Sequence, residues 1–114
     1  MTWDDVVAVG LALPGVEVST SYGTPALKVR KKLVARLKED GDTLVLLQVE
    51  DIEQQFLMET RPDVFYKTPH YEGYPTVLVR LSRVDPVQLR ELLETTWRRV
   101  APKTLLTQRG TRDE

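Results

Sequence analysis

Apolar and basic residues alternate through residues 27–38, and this alternation constrains the fold more than any other feature of the sequence. The segment contains no acidic residue and six basic ones: Lys28, Arg30, Lys31, Lys32, Arg36 and Lys38. A period of two is typical of a β-strand that buries one face. Because the alternation continues on both sides of the central lysine pair, it predicts a β-hairpin. One face, with Leu33, Ala35 and Leu37, is buried, and the other is basic.

The remaining strands are predicted from apolar runs that end at turn residues. Strands are expected at residues 26–30, 33–38, 43–49, 64–67 and 76–82. The acidic turn before the third strand contains Gly41, which can adopt a positive φ. The segment 16–24 is rich in Ser and Thr and is predicted to be a loop.

Three helices are predicted from apolar stripes and helix-ending residues. The first ends before Pro14, because proline disfavours helix in the residue that precedes it. The second covers residues 50–60, with Ile52 and Phe56 on one face, and the third covers residues 86–100. The stripe of the third helix is a candidate core: Leu89, Leu92, Leu93, Thr96, Trp97 and Val100.

The order of these elements indicates an α+β fold. Helix, three strands, helix, two strands and helix are expected to form a two-layer sandwich of one five-stranded sheet and its helices. The chain has 114 residues, which suffice for one domain with its own core. Residues 1–104 are assigned to this domain, and residues 105–114 are predicted to be a polar tail.

Composition excludes several kinds of chemistry. The chain has no cysteine, so disulfides, Cys-ligated zinc, iron–sulfur clusters and thiol nucleophiles are excluded. It has one histidine and no phosphate-binding or dinucleotide fingerprint, so no cofactor, metal ion or catalytic residue is predicted, and an enzyme is not expected. No apolar run approaches a membrane span and the N-terminal segment is acidic, so a cytoplasmic protein without membrane contact is expected.

Local motifs spread over almost the whole chain together resemble the MmcQ/YjbR family. They are Leu13-Pro14-Gly15 followed by Tyr22-Gly23-Thr24-Pro25-Ala26, the hairpin from Lys28-Val29 to Lys32-Leu33, Thr68-Pro69-His70-Tyr71 through Gly73-Tyr74-Pro75, and then Trp97 and Ala101-Pro102-Lys103. The resemblance implies a five-stranded antiparallel sheet in the order 1-2-3-5-4 with the helices on one face, similar to type III secretion chaperones and CyaY-like domains. Members are often labelled DNA-binding, so the resemblance also implies DNA as a candidate partner.

The basic face of the sheet is the first candidate site. If the helices cover the opposite face, the open face carries Lys28, Arg30, Arg36, Lys38 and Arg80. With the central pair Lys31 and Lys32, these are the candidate nucleic-acid-binding residues. Val34, Leu44, Leu46 and Leu78 are expected between them. Such a face can bind phosphates without sequence specificity. The alternatives are a solvated face whose long side chains cover apolar atoms, and an interface for a second copy or another protein.

The second candidate site is the segment 66–75 together with one earlier tyrosine. Its candidate ligand-binding residues are Tyr22, Tyr66, Lys67, His70, Tyr71 and Tyr74. Aromatic side chains beside basic ones can stack on unpaired bases or line a small-ligand or enzyme site. The alternative is a rigid loop whose tyrosines cover the end of the core. The leading hypothesis is non-specific DNA binding, followed by a protein-interaction or homodimerising module and by a small-ligand binder or enzyme.

Overall fold

The structure is a computed structural model that describes the backbone of residues 1–113 and the side chains of residues 1–108. It contains the helices α1 (Trp3–Leu11), α2 (Asp51–Thr60), α3 (Pro86–Val100) and α4 (Lys103–Asp113), and a 3-10 turn at Pro69–Tyr71. The strands are β1 (Val16–Ser21), β2 (Thr24–Val29), β3 (Lys32–Leu37), β4 (Thr43–Leu47), β5 (Phe65–Tyr66) and β6 (Thr76–Arg80). No helix in the described part of the chain is long and apolar enough to cross a bilayer.

All strands pair antiparallel in one open sheet, in the order β1-β2-β3-β4-β6-β5. The predicted α+β class is confirmed, and the order of the five predicted strands is the one that the resemblance implies. The predicted count of five is wrong, because residues 16–21 form an edge strand instead of a loop. In β1 only Val16 is fully buried. The apolar alternation in this strand is limited to Val16 and Val18 and is followed by Ser and Thr, so it is too short to identify a strand from sequence.

The core lies between one face of the sheet and the helices α1 and α3. Strand residues paired across the sheet share a face, as the row Leu27, Ala35, Leu46 and Val77 shows. These four residues all belong to the buried cluster, together with Leu89, Leu93 and Trp97 of α3. On α1, Gly10 brings the helix so close that an added Cβ would lie 2.6 Å from a methyl carbon of Leu27. The predicted core residues of α3 are therefore buried, except that Leu92 is only partly so.

A β-bulge changes which residues of β3 reach the open face. Leu27 pairs with Ala35 and Lys28 pairs with Leu33, so Val34 has no partner and the register shifts there. Val34 and Ala35 are both buried in the core, whereas Leu33 lies on the open face. The predicted strict alternation of the hairpin is therefore wrong, because the extra residue reverses the alternation on one side of the bulge.

The predicted faces of β4 also require correction. Leu44 and Leu46 pair with Val79 and Val77 in the core, not on the open face. Nearly every position of β4 is apolar and buried, so its sequence contains no alternation that identifies a face. Leu78 does lie on the open face, yet it is fully buried.

The C-terminal segment differs from the predicted polar tail. Residues Lys103–Asp113 form α4, and Leu105 is buried. Leu105 packs on the turn between α1 and β1, where a Cβ added to Gly15 would lie 2.5 Å from one of its methyl carbons. Gly15 has a φ of +76°, a conformation that favours glycine. Tertiary packing of Leu105 thus supports a helix that its polar surroundings do not predict.

Candidate ligand groove on the open sheet face

A groove of about 620 Å³ lies on the open face of the sheet, opposite α1 and α3. Strand side chains line its floor: Leu33, Arg36, Val45, Leu47 and Thr76. Aromatic side chains from two separate loops form its walls: Tyr22, His70, Tyr71 and Tyr74. We call this the open-face groove. It is mostly apolar and has one guanidinium on its floor, a composition typical of small-molecule sites.

Tyr22 is held at the tip of the β1–β2 hairpin by an unusual backbone conformation. Tyr22 and Gly23 form a two-residue turn with φ values of 53° and 78°, and the strand pairing closes at Ser21 opposite Thr24. A left-handed conformation costs a bulky L-residue about 1–2 kcal/mol. The Tyr22 side chain is nevertheless 89% exposed, so core packing does not account for a tyrosine at this position.

The loop that forms the other wall is fixed to α2 by a buried amide. Gln54 is only 3% exposed, and its Nε2 donates to the carbonyl oxygens of Val49 at 2.7 Å and Tyr74 at 3.3 Å. Lys67 Nζ donates to Gln54 Oε1 and to the Tyr74 carbonyl oxygen, both at 2.7 Å. Because buried polar groups are costly to leave unsatisfied, these bonds hold the loop in one position. The Lys67 ammonium therefore supports the loop and does not line the groove.

Arg36 connects the two walls of the open-face groove. Its guanidinium donates from Nη1 to Thr24 Oγ1 at 3.0 Å and from Nη2 to the Tyr71 hydroxyl at 3.3 Å. It also lies 5.6 Å from the centre of the Tyr22 ring and 3.7 Å from a carboxylate oxygen of Glu39. Its side chain is 12% exposed. Arg36 is therefore a fixed charge on the groove floor rather than a mobile surface cation.

The other predicted basic residues occupy different surroundings. Arg80 stacks over the Tyr66 ring at 4.2 Å, and Lys38 Nζ lies 5.7 Å from the centre of the Tyr71 ring. Three of the seven are exposed at the tip of the β2–β3 hairpin: Arg30, Lys31 and Lys32. Lys28 is partly exposed on β2. The predicted basic face is thus divided between the groove, an aromatic stack and a hairpin tip.

The structure brings together four of the six predicted ligand-loop residues: Tyr22, His70, Tyr71 and Tyr74. Tyr66 and Lys67 are not among the groove residues. The Tyr66 hydroxyl lies 3.0 Å from Thr43 Oγ1, which donates to Asp40 Oδ2 at 2.7 Å. Hydrogen bonds from the Thr43 hydroxyl and from backbone N–H groups of the turn hold the pKa of Asp40 below its ordinary value.

Sequence reasoning missed the apolar floor of the groove. The sequence pattern predicts Leu33 on the buried face, and it predicts Val45 and Leu47 only as members of an apolar strand. His70 packs edge-on against Tyr71, with ring centres 4.9 Å apart. Across the residues that the structure describes, no three His, Asp or Glu side chains form a metal-binding cluster. The groove thus presents aromatic rings and one cation to a ligand.

Comparison with known proteins places the chain among proteins of the same size and fold. The YjbR family model matches residues 11–99. The chain is 32% identical over 122 residues to "Uncharacterized protein Rv2570" of Mycobacterium tuberculosis and to "Uncharacterized protein Mb2600" of Mycobacterium bovis, with 92% of each chain covered. The crystal structure of Deinococcus radiodurans protein DR2400, with the domain DUF419, matches with a TM-score of 0.76 and 24% identity. That match covers 90% of this chain and 80% of DR2400, and it supports the fold.

Proposed function

The chain belongs to the YjbR family, and we propose that its open-face groove binds an anionic ligand that carries a flat aromatic ring. A nucleotide has this chemistry, either free in solution or unpaired in a single strand. The names of the relatives state no activity, so the proposal rests on the groove itself.

The observation that carries the proposal is that Arg36 lies mostly buried on the groove floor with N–H donors that no described hydrogen bond uses. A guanidinium has five N–H donors, and the two hydrogen bonds described for Arg36 use only two of them. The Glu39 carboxylate lies 3.7 Å from Nη1, beyond hydrogen-bond distance, so the other donors, on a side chain that is 12% exposed, are suited to bind a phosphate or carboxylate. Because the floor around Arg36 is apolar, an ionic hydrogen bond there is stronger than one at the open surface.

The walls of the open-face groove support the aromatic part of the proposed ligand. Tyr22, Tyr71 and Tyr74 surround a space of about 620 Å³, within the range of small-molecule sites. Stacking of one base on an aromatic side chain contributes about 1–3 kcal/mol and tolerates different bases. The strained and exposed tyrosine at position 22 is consistent with a binding role, since backbone strain concentrates at functional sites.

Tyr22→Asn tests the proposal without disturbing the core. We expect the variant to bind adenosine monophosphate or an oligothymidine about 5- to 150-fold more weakly, the equivalent of one lost stacking contact. The melting temperature should stay the same or rise, because asparagine tolerates the left-handed conformation better than tyrosine does. Isothermal titration calorimetry and a thermal melt measure the two quantities. Unchanged affinity in the variant would contradict the proposal.

The wild-type titrations also separate the possible sources of the ligand. Binding of the mononucleotide alone indicates a free nucleotide, whereas much tighter binding of the oligothymidine indicates a single strand. Absence of binding to either probe in low salt would overturn the proposal, because ionic contacts are strongest there.

A second candidate function is non-specific contact with duplex DNA through the β2–β3 hairpin. The observation that favours it is the exposed tip, where Arg30, Lys31 and Lys32 are adjacent. Arg30 and Lys31 form a two-residue turn with φ values of 50° and 71°. Asn and Gly are the residues preferred in such a turn. Two basic side chains thus occupy positions at which the left-handed backbone is unfavourable for them. This is expected if their charges contact DNA.

The double variant Arg30→Asn, Lys31→Gly is expected to move stability and duplex binding in opposite directions. The free energy of unfolding should rise by about 1–2 kcal/mol, because the left-handed positions are relieved. Duplex affinity should fall for every sequence, and its log–log salt slope should flatten by about two units. Chemical denaturation and a salt series of fluorescence anisotropy provide the measurements. An unchanged salt slope would exclude the hairpin as the DNA contact.

A further inference from the structure

A second apolar surface lies in the helical layer, away from the open-face groove. Ile52 and Phe56 of α2 are 76% and 64% exposed, although both are large apolar residues one helical turn apart. α2 instead buries Gln54 and Leu57, so its sequence stripe does not identify its packed side. Neighbouring exposed apolar side chains of this size are typical of interaction sites.

These two residues form one wall of a groove of about 470 Å³ between α2 and α3. Leu57 and Leu92 contribute further apolar surface, and Gln88 and Thr95 line the α3 side. We call this the α2–α3 groove. A groove between two helices, with apolar anchors at positions i and i+4, has the form of sites that bind an amphipathic helix.

The charge around the α2–α3 groove is acidic. Glu53 and Glu91 line it, and α2 also carries Asp51 and Glu59 but no basic residue. Arg99 pairs with Glu53 at 2.7 Å, which neutralises part of this charge near one end of α2. We propose that the α2–α3 groove binds a basic amphipathic helix of a partner protein. The apolar face of this partner helix covers Ile52 and Phe56, and the basic residues of the helix contact the acidic rim of the groove.

A second copy of the chain fits this surface less well. Two α2–α3 grooves facing each other would bring two acidic rims together, and like charges across an interface oppose association. The basic β2–β3 hairpin of a second copy has the complementary charge. However, within the described side chains, none of its large apolar residues is exposed. Charge complementarity together with apolar anchoring therefore favours a different protein.

The test uses the whole 114-residue chain and three synthetic peptides of about 18 residues. The first contains leucine and lysine arranged as an amphipathic helix. The second has the same composition in an order that spreads leucine over all faces, and the third replaces lysine with glutamate. We expect only the first peptide to bind, measured by fluorescence anisotropy at physiological salt. Equal binding of the second or third peptide, or binding of none, would overturn the proposal.

The variant Phe56→Ala tests whether the first peptide binds in the α2–α3 groove. Because Phe56 is 64% exposed, the variant is expected to fold normally and to bind the first peptide at least about tenfold more weakly. The matched control is Val87→Ala, which removes an exposed apolar side chain of α3 outside the groove and should leave affinity unchanged. Equal affinities in both variants would contradict the proposal. The proposal would also be contradicted if light scattering showed that the wild-type protein is a dimer and that Phe56→Ala is a monomer.

Discussion

Trp97→Ala is expected to lower the free energy of unfolding by about 3–5 kcal/mol, which is the usual cost of removing a large aromatic side chain from a core. Trp97 has no exposed surface and is among the largest fully buried side chains. Its Nε1 also donates to the Pro14 carbonyl oxygen at 2.8 Å, which joins α3 to the turn after α1. The substitution therefore removes packing and leaves a carbonyl oxygen without its donor. Urea denaturation followed by circular dichroism measures the loss.

Trp97→Phe is the matched control, because it keeps most of the ring volume and removes the indole N–H. We expect it to cost less than the alanine variant, with about 1–3 kcal/mol attributable to the unsatisfied Pro14 carbonyl. Equal stability of the wild-type protein and the alanine variant would contradict the described packing of α3 on the sheet.

Arg36→Met is expected to weaken ligand binding in the open-face groove by about 10- to 150-fold. This range corresponds to the loss of a hydrogen bond to a charged group, about 1.5–3 kcal/mol. Methionine retains much of the apolar stem, so the change removes mainly the charge and the donors to Thr24 and Tyr71. The fold should lose only about 1–2 kcal/mol, because the Thr24 hydroxyl keeps its hydrogen bond to the Ser21 carbonyl oxygen and Tyr71 is partly exposed. Calorimetric titration with the same nucleotide probes measures the affinity.

Arg80→Met provides the control on the same sheet face. Arg80 stacks on Tyr66 and does not line the open-face groove, so its loss should leave nucleotide affinity nearly unchanged. Equal weakening in the two variants would instead indicate a diffuse basic surface that contacts phosphates, as the sequence alone suggests. The pair of variants therefore separates the groove from the basic face as the origin of binding.

Some features of this protein follow from local sequence and match the structure. The β2–β3 hairpin as an element, the Gly41 turn and the capped apolar stripe of α3 each depend on contacts between near neighbours, so residue type and spacing are sufficient. The buried positions of Leu89, Leu93 and Trp97 belong to this class. So does the exposure of the basic hairpin tip.

Other features required the tertiary structure, because they depend on residues distant in sequence. A bulge at Val34 exchanges the faces of β3, and β1 is a strand only because β2 lies beside it. The groove requires Tyr22 and Tyr71 to meet over Arg36, although the two tyrosines lie 49 positions apart in the chain. A sequence pattern indicates which residues prefer burial. A site of this kind, in contrast, forms only when particular elements pack against each other. The sequence by itself therefore determined three of the helices, five of the strands and most of the core, and tertiary packing decided β1, α4, the groove and which cation it contains.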